Sequence, residues 1–171
     1  LMICQQPDVA IVGAKLYYPD NLIQHAGVVL GMGGIAGHIM CQASCEDKGY
    51  FGRAVNVQEI SAVTAARMLM KVEDFEAVGG FDEEFVVAFN DIDLCMKERA
   101  AGKKVVFTPY AELYHYESKS RGMEDTPEKQ KRFLSEINYM KAHWSEILTK
   151  GDPYYNENFS LNTCNYTLRK R

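Results

Sequence analysis

Apolar side chains run almost unbroken over residues 9–18 and stop at Pro19-Asp20-Asn21, the pattern of a buried strand entering a turn. Residues 23–30, Ile-Gln-His-Ala-Gly-Val-Val-Leu, predict a second strand hairpinned to the first. The glycine-rich stretch 31–37 lacks a Gly-Lys-Ser/Thr ending and no helical period follows it, so it reads as a mobile loop and not as a phosphate cradle. Residues 61–70 turn apolar again and predict another buried strand, whose small side chains would let a neighbouring group approach. A short helix over 71–78 closes at Gly79. Farther on, 104–108 predicts a strand, Pro109-Tyr110 a turn and 111–116 a short segment. Thr126 followed by Pro127 opens a helix whose Phe133, Ile137, Met140, Trp144 and Ile147 recur on one face through Lys150. Trp144 on that stripe reads as core or docking surface before it reads as a sugar-stacking platform. Residues 1–6 look like the last turns of a helix stopped before Pro7, which implies a missing upstream part. The stretch 151–171 has no period and is expected to wrap the surface.

Between these elements, residues 79–94 read Gly-Gly-Phe-Asp-Glu-Glu-Phe-Val-Val-Ala-Phe-Asn-Asp-Ile-Asp-Leu. Asn90 is a good N-cap with Asp93 three residues later, which predicts a helix over 91–101 that opens in a capping-box-like turn and ends at Gly102. Asp91 and Asp93 have a plain explanation, because negative charge at a helix N-terminus is stabilising by roughly 0.3–1 kcal/mol. The sharper reading is that Asp93 caps the helix while Asp91 faces a cleft and takes a proton from an incoming hydroxyl.

Composition narrows the setting. The chain has 171 residues, 47% hydrophobic and 25% charged, enough for one domain with its own core. A net charge of −4 and a few short basic runs argue against nucleic-acid binding. No apolar run approaches the ~18 residues of a membrane span, and the start has no signal-peptide pattern. Five irregularly spaced cysteines in a chain that needs no stapling point to reduced thiols and a cytoplasmic location.

Three groups of candidate ligands remain. His25 lies on the second predicted strand and reads more simply as a packed residue. His38, Cys41 and Cys45 could hold zinc, but a fourth ligand at standard spacing is absent, which favours an irregular loop. The strongest group joins Asp91, His115 and the loop Ser118-Lys119-Ser120-Arg121. A carboxylate base, an imidazole and a cationic loop belong together if the substrate carries a metal-bound diphosphate.

Several strings add a resemblance: Val12-Gly13-Ala14-Lys15-Leu16-Tyr17-Tyr18-Pro19-Asp20, Gln24-His25-Ala26-Gly27, Val78-Gly79-Gly80-Phe81-Asp82-Glu83-Glu84-Phe85, Asn90-Asp91-Ile92-Asp93-Leu94-Cys95 and His115-Tyr116-Glu117-Ser118-Lys119-Ser120-Arg121-Gly122. Over about residues 9–158 the chain resembles the C-terminal half of a bacterial family 2 glycosyltransferase of the GT-A fold, rhamnosyltransferase-like members included. The resemblance implies an α/β chain with a partial GT-A fold, a mixed sheet flanked by helices whose N-terminal nucleotide-binding half is absent. Residues 1–150 would be the acceptor-side part of the domain and 151–171 an extension.

By position, Asp91 matches the family's general base and His115 its metal-binding histidine, while Ser118, Lys119 and Arg121 fall in the loop that closes over the donor. Residues 66–70 match the strand beside the acceptor. Asn90 stands where the family usually has glutamate. The family's Asp-x-Asp metal motif has no counterpart, because Asp91-Ile92-Asp93 opens a helix instead of ending a strand. The implied whole enzyme transfers a sugar from a nucleotide-sugar donor to a saccharide acceptor hydroxyl in cell-surface polysaccharide synthesis, with inversion and a divalent metal, Mn²⁺ or Mg²⁺. It has room for peripheral membrane attachment. The fragment alone is expected to be inactive and to self-associate over its open sheet edges. Two alternatives stand beside this: a noncatalytic glycan- or partner-binding module of the same fold, and a metal-dependent phosphohydrolase using Asp91, Asp93 and His115 as ligands.

Overall fold

A computed structural model describes residues 1–116 and 126–170. Strand β1 (Val9–Tyr17) is buried at every position, which explains its unbroken apolar run. On one edge it pairs in parallel with β7 (Lys104–Tyr114). Its other edge is shared by two antiparallel strands, β6 (Met68–Met70) along Ile11 to Gly13 and β2 (Ile23–His25) along Leu16 and Tyr17. The short β5 (Gln58–Glu59) pairs antiparallel with β7, giving the order β2-β1-β7-β5 with β6 beside β1. The described residues therefore form an α/β arrangement with a mixed sheet flanked by helices.

The predicted second strand is two strands. Gly27, at φ 113, turns the chain between β2 and β3 (Val28–Leu30), and β3 pairs with β4 (Ala36–His38) in a sheet of its own. The glycine-rich stretch expected to be a mobile loop is the turn of this hairpin. Gly31 donates its N–H to the Ile35 carbonyl at 2.7 Å, and Met32 and Ile35 are buried. Apolar side chains spaced among the glycines anchor what composition alone presents as a loop.

Three further expectations change. Of residues 61–70, Met68–Met70 pairs as a strand, while Ser61, Ala62 and Val63 are buried without joining the main sheet and Thr64 caps a 3-10 turn at Ala65–Arg67. Val63 lies against β1 so closely that a Cβ on Gly13 would fall 2.4 Å from its Cγ1, so β1 needs glycine there. Strand β7 runs on through Pro109: the register jumps from Ala14 opposite Thr108 to Lys15 opposite Glu112, and the proline sits in the excluded bulge where its missing N–H costs no ladder bond. The N-terminal residues 1–6 form an isolated turn, not a helix, with Gln5 N–H bonded to the Leu1 carbonyl at 3.2 Å.

The helices are α1 (Val72–Ala77), α2 (Asn90–Ala100), α3 (Pro127–His143) and α4 (Ser145–Lys150). Thr126 accepts from Lys129 N–H as the cap of α3, as its sequence predicts. The single long helix expected through Lys150 breaks at Trp144. Leu94, Cys95 and Met96 of α2 and Met140 of α3 share one core with Ile11 and Phe107 of the sheet. The segment after Gly151 does more than wrap the surface. Asp152 accepts from Leu30 N–H at 2.7 Å, and Tyr155 and Phe159 enter the core. No helix among the described residues is long and apolar enough to cross a membrane.

Candidate active site

Helix α2 begins one residue earlier than its sequence predicts, and its cap is Phe89, in the left-handed conformation (φ 65, ψ 0) with no side-chain cap bond. Asn90 is inside the helix. The reason lies in α3, where Glu136, 2% exposed, reaches into the preceding loop and accepts from Val87 N–H at 2.8 Å and Ala88 N–H at 3.1 Å. Two backbone donors that would otherwise be orphaned are held by a carboxylate, and the bend at Phe89 follows. Phe89 also stacks on Phe133 of α3, with centroids 5.7 Å apart.

Asp93 does not cap the helix. It is fully buried, with Oδ1 accepting from the Trp144 indole N–H at 2.8 Å and Oδ2 paired with Lys97 Nζ at 2.8 Å. Asp82 is similarly occupied: Glu84 N–H and then the Tyr139 hydroxyl bond its carboxylate and hold it below the usual acid range. The stripe on α3 is thus a docking surface for 82–93, gripped by Phe133, Glu136, Tyr139 and, at the helix end, Trp144.

What this scaffold leaves out at the rim is Asp91. Its Oδ2 accepts from Ala65 N–H at 3.0 Å and its Oδ1 from Ile92 N–H at 2.9 Å, while the residue stays half-buried. Both bonds fix the carboxylate and leave lone pairs for another donor. The Ala65 bond ties Asp91 to the 3-10 turn that leads into β6, so of residues 66–70, expected as a strand, the first two belong to that turn and only Met68–Met70 pair as a strand.

His115 follows the end of β7, with its N–H on the Tyr17 carbonyl at 2.9 Å. Gln24 of β2 grips it twice: Gln24 Oε1 lies 2.8 Å from His115 Nδ1 and Gln24 Nε2 donates to the His115 carbonyl at 3.3 Å. An amide oxygen only accepts, so Nδ1 carries a proton in this contact, the arrangement that leaves Nε2 as the nitrogen by which a neutral imidazole would ligate a metal. No hydrogen bond or ion pair joins His115 to Asp91. Ser118, Lys119 and Arg121 lie outside the described residues.

The other ligand candidates separate. His38 turns to His25, not to the cysteines: the two Nδ1 atoms are 3.2 Å apart, and the rings meet edge to face. Cys41 lies 3.5 Å from the Tyr18 hydroxyl. Among the described residues no three His, Cys, Asp or Glu side chains converge as a metal cluster. Asp93, buried and doubly engaged, is unavailable to the phosphohydrolase alternative, which loses one of its ligands.

Sequence reasoning missed Gln24 and Glu136. Glu136 had a signal, since it is an acidic residue at a buried position of the α3 stripe, between Phe133 and Met140. Gln24 had a fainter one, a polar side chain on a strand that is buried throughout.

The fold and site together define an α/β chain that presents a fixed carboxylate at a helix start and an oriented imidazole at a strand end. Two relatives are similar to the chain. The chain is 55% identical over 167 residues to the uncharacterized protein y4gI of Sinorhizobium fredii (strain NBRC 101917 / NGR234). It is 38% identical over 167 residues to the O-antigen biosynthesis protein RfbC of Myxococcus xanthus. Each match covers 97% of this chain, which spans 18% of the first relative and 13% of the second. No family model matches the chain, and no solved structure does.

Proposed function

We propose that this chain is the acceptor-side part of a GT-A glycosyltransferase that builds a bacterial surface polysaccharide. The observation that carries the reading is the division of labour at the start of α2, where Asp93 is sealed into the scaffold and Asp91 is positioned yet reachable. The relative named for O-antigen biosynthesis supports the polysaccharide setting.

In the reaction, Asp91 accepts the proton of the acceptor hydroxyl as its oxygen attacks the anomeric carbon from the face opposite the diphosphate. The bond from that carbon to the diphosphate oxygen breaks, and configuration inverts. His115, held by Gln24 through Nδ1, would contribute one ligand to a divalent metal through Nε2; with no three-ligand cluster among the described residues, the remaining ligands would be donor oxygens and other side chains. Such a metal, when bound, offsets charge on the departing diphosphate. Lys119 and Arg121 would add to that neutralisation and Ser118 a hydroxyl contact to the donor. A cytoplasmic location belongs to this reading, as do a nucleotide-sugar donor, a saccharide acceptor and self-association of the isolated chain.

The test is Asp91→Asn in the full-length protein, assayed with Mn²⁺ and nucleotide-sugar donors. Removing a general base costs about 10²–10⁴-fold in turnover. Donor binding should be retained, and turnover within twofold of the unmodified protein would refute the assignment.

A further inference from the structure

At the opposite end of α2 from Asp91, a cleft of about 370 Å³ opens between the 3-10 turn Tyr50–Gly52 and the C-terminal segment, within the ~300–1,000 Å³ range of small-molecule sites. We infer that this cleft is a saccharide-binding subsite, separate from the reacting centre, that holds a distal part of the glycan.

Its lining has the chemistry a sugar ring asks for. Five of its eight lining residues are aromatic, and none is acidic. The rings of Tyr50 and Tyr166 stack with centroids 5.6 Å apart, and Phe159 meets Tyr50 edge-on at 4.9 Å. A pyranose offers an apolar C–H face to such a wall and hydroxyls around its edge. Asn156 and Arg53 stand in the cleft to meet those hydroxyls, the Arg53 guanidinium already held against the Tyr166 hydroxyl.

The backbone adds an independent sign. Phe51 sits at φ 50, ψ 35, a conformation bulky side chains avoid, and it is 88% exposed with its ring against Tyr50 at 4.7 Å. Core packing does not compensate for that strain. Tyr166, also in the cleft, is left-handed too, at φ 58. Two aromatic residues held in an unfavourable conformation beside one cleft are what a ligand site looks like when ring placement outweighs local stability.

The cleft is not the reacting centre. Tyr154, one of its walls, lies under the guanidinium of Arg99 at 5.2 Å, and Arg99 follows Asp91 by eight residues of α2, roughly 12 Å along the helix axis. The inference rests on the proposed function for the class of ligand alone, and its test needs no transfer activity.

The experiment is saturation-transfer NMR on this chain with the methyl glycosides of glucose, galactose, mannose, rhamnose and N-acetylglucosamine and their linear di- and trisaccharides. At least one should receive saturation at its ring C–H protons. Phe51→Gly should weaken that binding at least fivefold while the unfolding temperature holds or rises, because glycine relieves the strain. Arg53→Gln should weaken binding similarly, and Glu73→Gln on the exposed face of α1 should leave it unchanged. If no saccharide in the panel receives saturation, or if binding survives both Arg53→Gln in the lining and Phe51→Gly, whose ring packs on the lining Tyr50, the inference is wrong. If cleft binding behaves as expected but Asp91→Asn leaves transfer intact in the full-length protein, the catalytic assignment fails and the subsite stands.

Discussion

The Trp144 indole N–H donates to Asp93 Oδ1 at 2.8 Å, fastening the break between α3 and α4 to the first turn of α2. The residue that ends one helix is thereby the anchor for the helix that carries the candidate base. Replacing Trp144 with Phe keeps most of the ring but leaves a fully buried carboxylate oxygen with one donor fewer. Leaving such a group unsatisfied costs about 1–3 kcal/mol. At about 2–4 °C per kcal/mol for a chain of this size, the thermal midpoint followed by far-UV circular dichroism should fall by several degrees. A midpoint within 1 °C, roughly, of the unmodified chain would show that the bond contributes nothing net.

Glu136 makes a stronger claim on the same region, because both of its oxygens serve backbone donors of the loop before α2. In Glu136→Gln one oxygen becomes an amide NH₂ that cannot accept. One of Val87 N–H and Ala88 N–H then loses its partner, at a cost of about 1–3 kcal/mol. The specific readout is hydrogen exchange at Val87 and Ala88, which should quicken more than exchange in the β1 core. Uniform acceleration across the chain would mean that Glu136 supports global stability without fixing this loop.

How much of this could be read beforehand depends on where the controlling contact lies in sequence. Strand β1 and the cap at Thr126 are local and were legible from neighbouring residues. The cap of α2 was not, since Asn90 and Asp93 satisfy the local rule while the outcome is set by Glu136 and Trp144, more than forty residues away. The same holds for residues 61–70, where a run of small apolar residues fits a strand until Val63 is seen packed on Gly13. Pro109 predicted a turn by itself, and only pairing with β1 shows that a bulge absorbs it.

Gln24 gives the metal reading a test of its own. If its amide oxygen orients the His115 ring, Gln24→Leu leaves the imidazole without the partner that holds Nδ1. Loss of such an orienting partner typically weakens metal affinity by about 10–100-fold. In the full-length protein the Mn²⁺ concentration for half-maximal transfer should rise by that factor, with turnover at saturating metal much less affected. An unchanged metal requirement would remove His115 from the proposed ligand set.

His25 predicts how stability responds to acid. It is fully buried, with Nδ1 facing His38 and Nε2 lacking a partner among the described residues, and burial first and the neighbouring His38 second push its pKa well below the ordinary value of 6.5. The folded chain therefore keeps His25 neutral at a pH where the unfolded chain protonates it. Stability from this site is fully present above about pH 6.5 and declines as pH falls from there toward the depressed folded value, with a limiting slope of about 1.4 kcal/mol per pH unit. Carboxylates with unfolded values near 4 produce most of their losses lower, and within the window between about pH 6.5 and 5 the contribution of this histidine is the difference between the unmodified chain and a variant without it. Urea unfolding across that window should show the decline in the unmodified chain and a flatter profile in His25→Gln, whose amide does not titrate. Equal slopes in the two proteins would place the acid sensitivity elsewhere, with His38 the next group to replace.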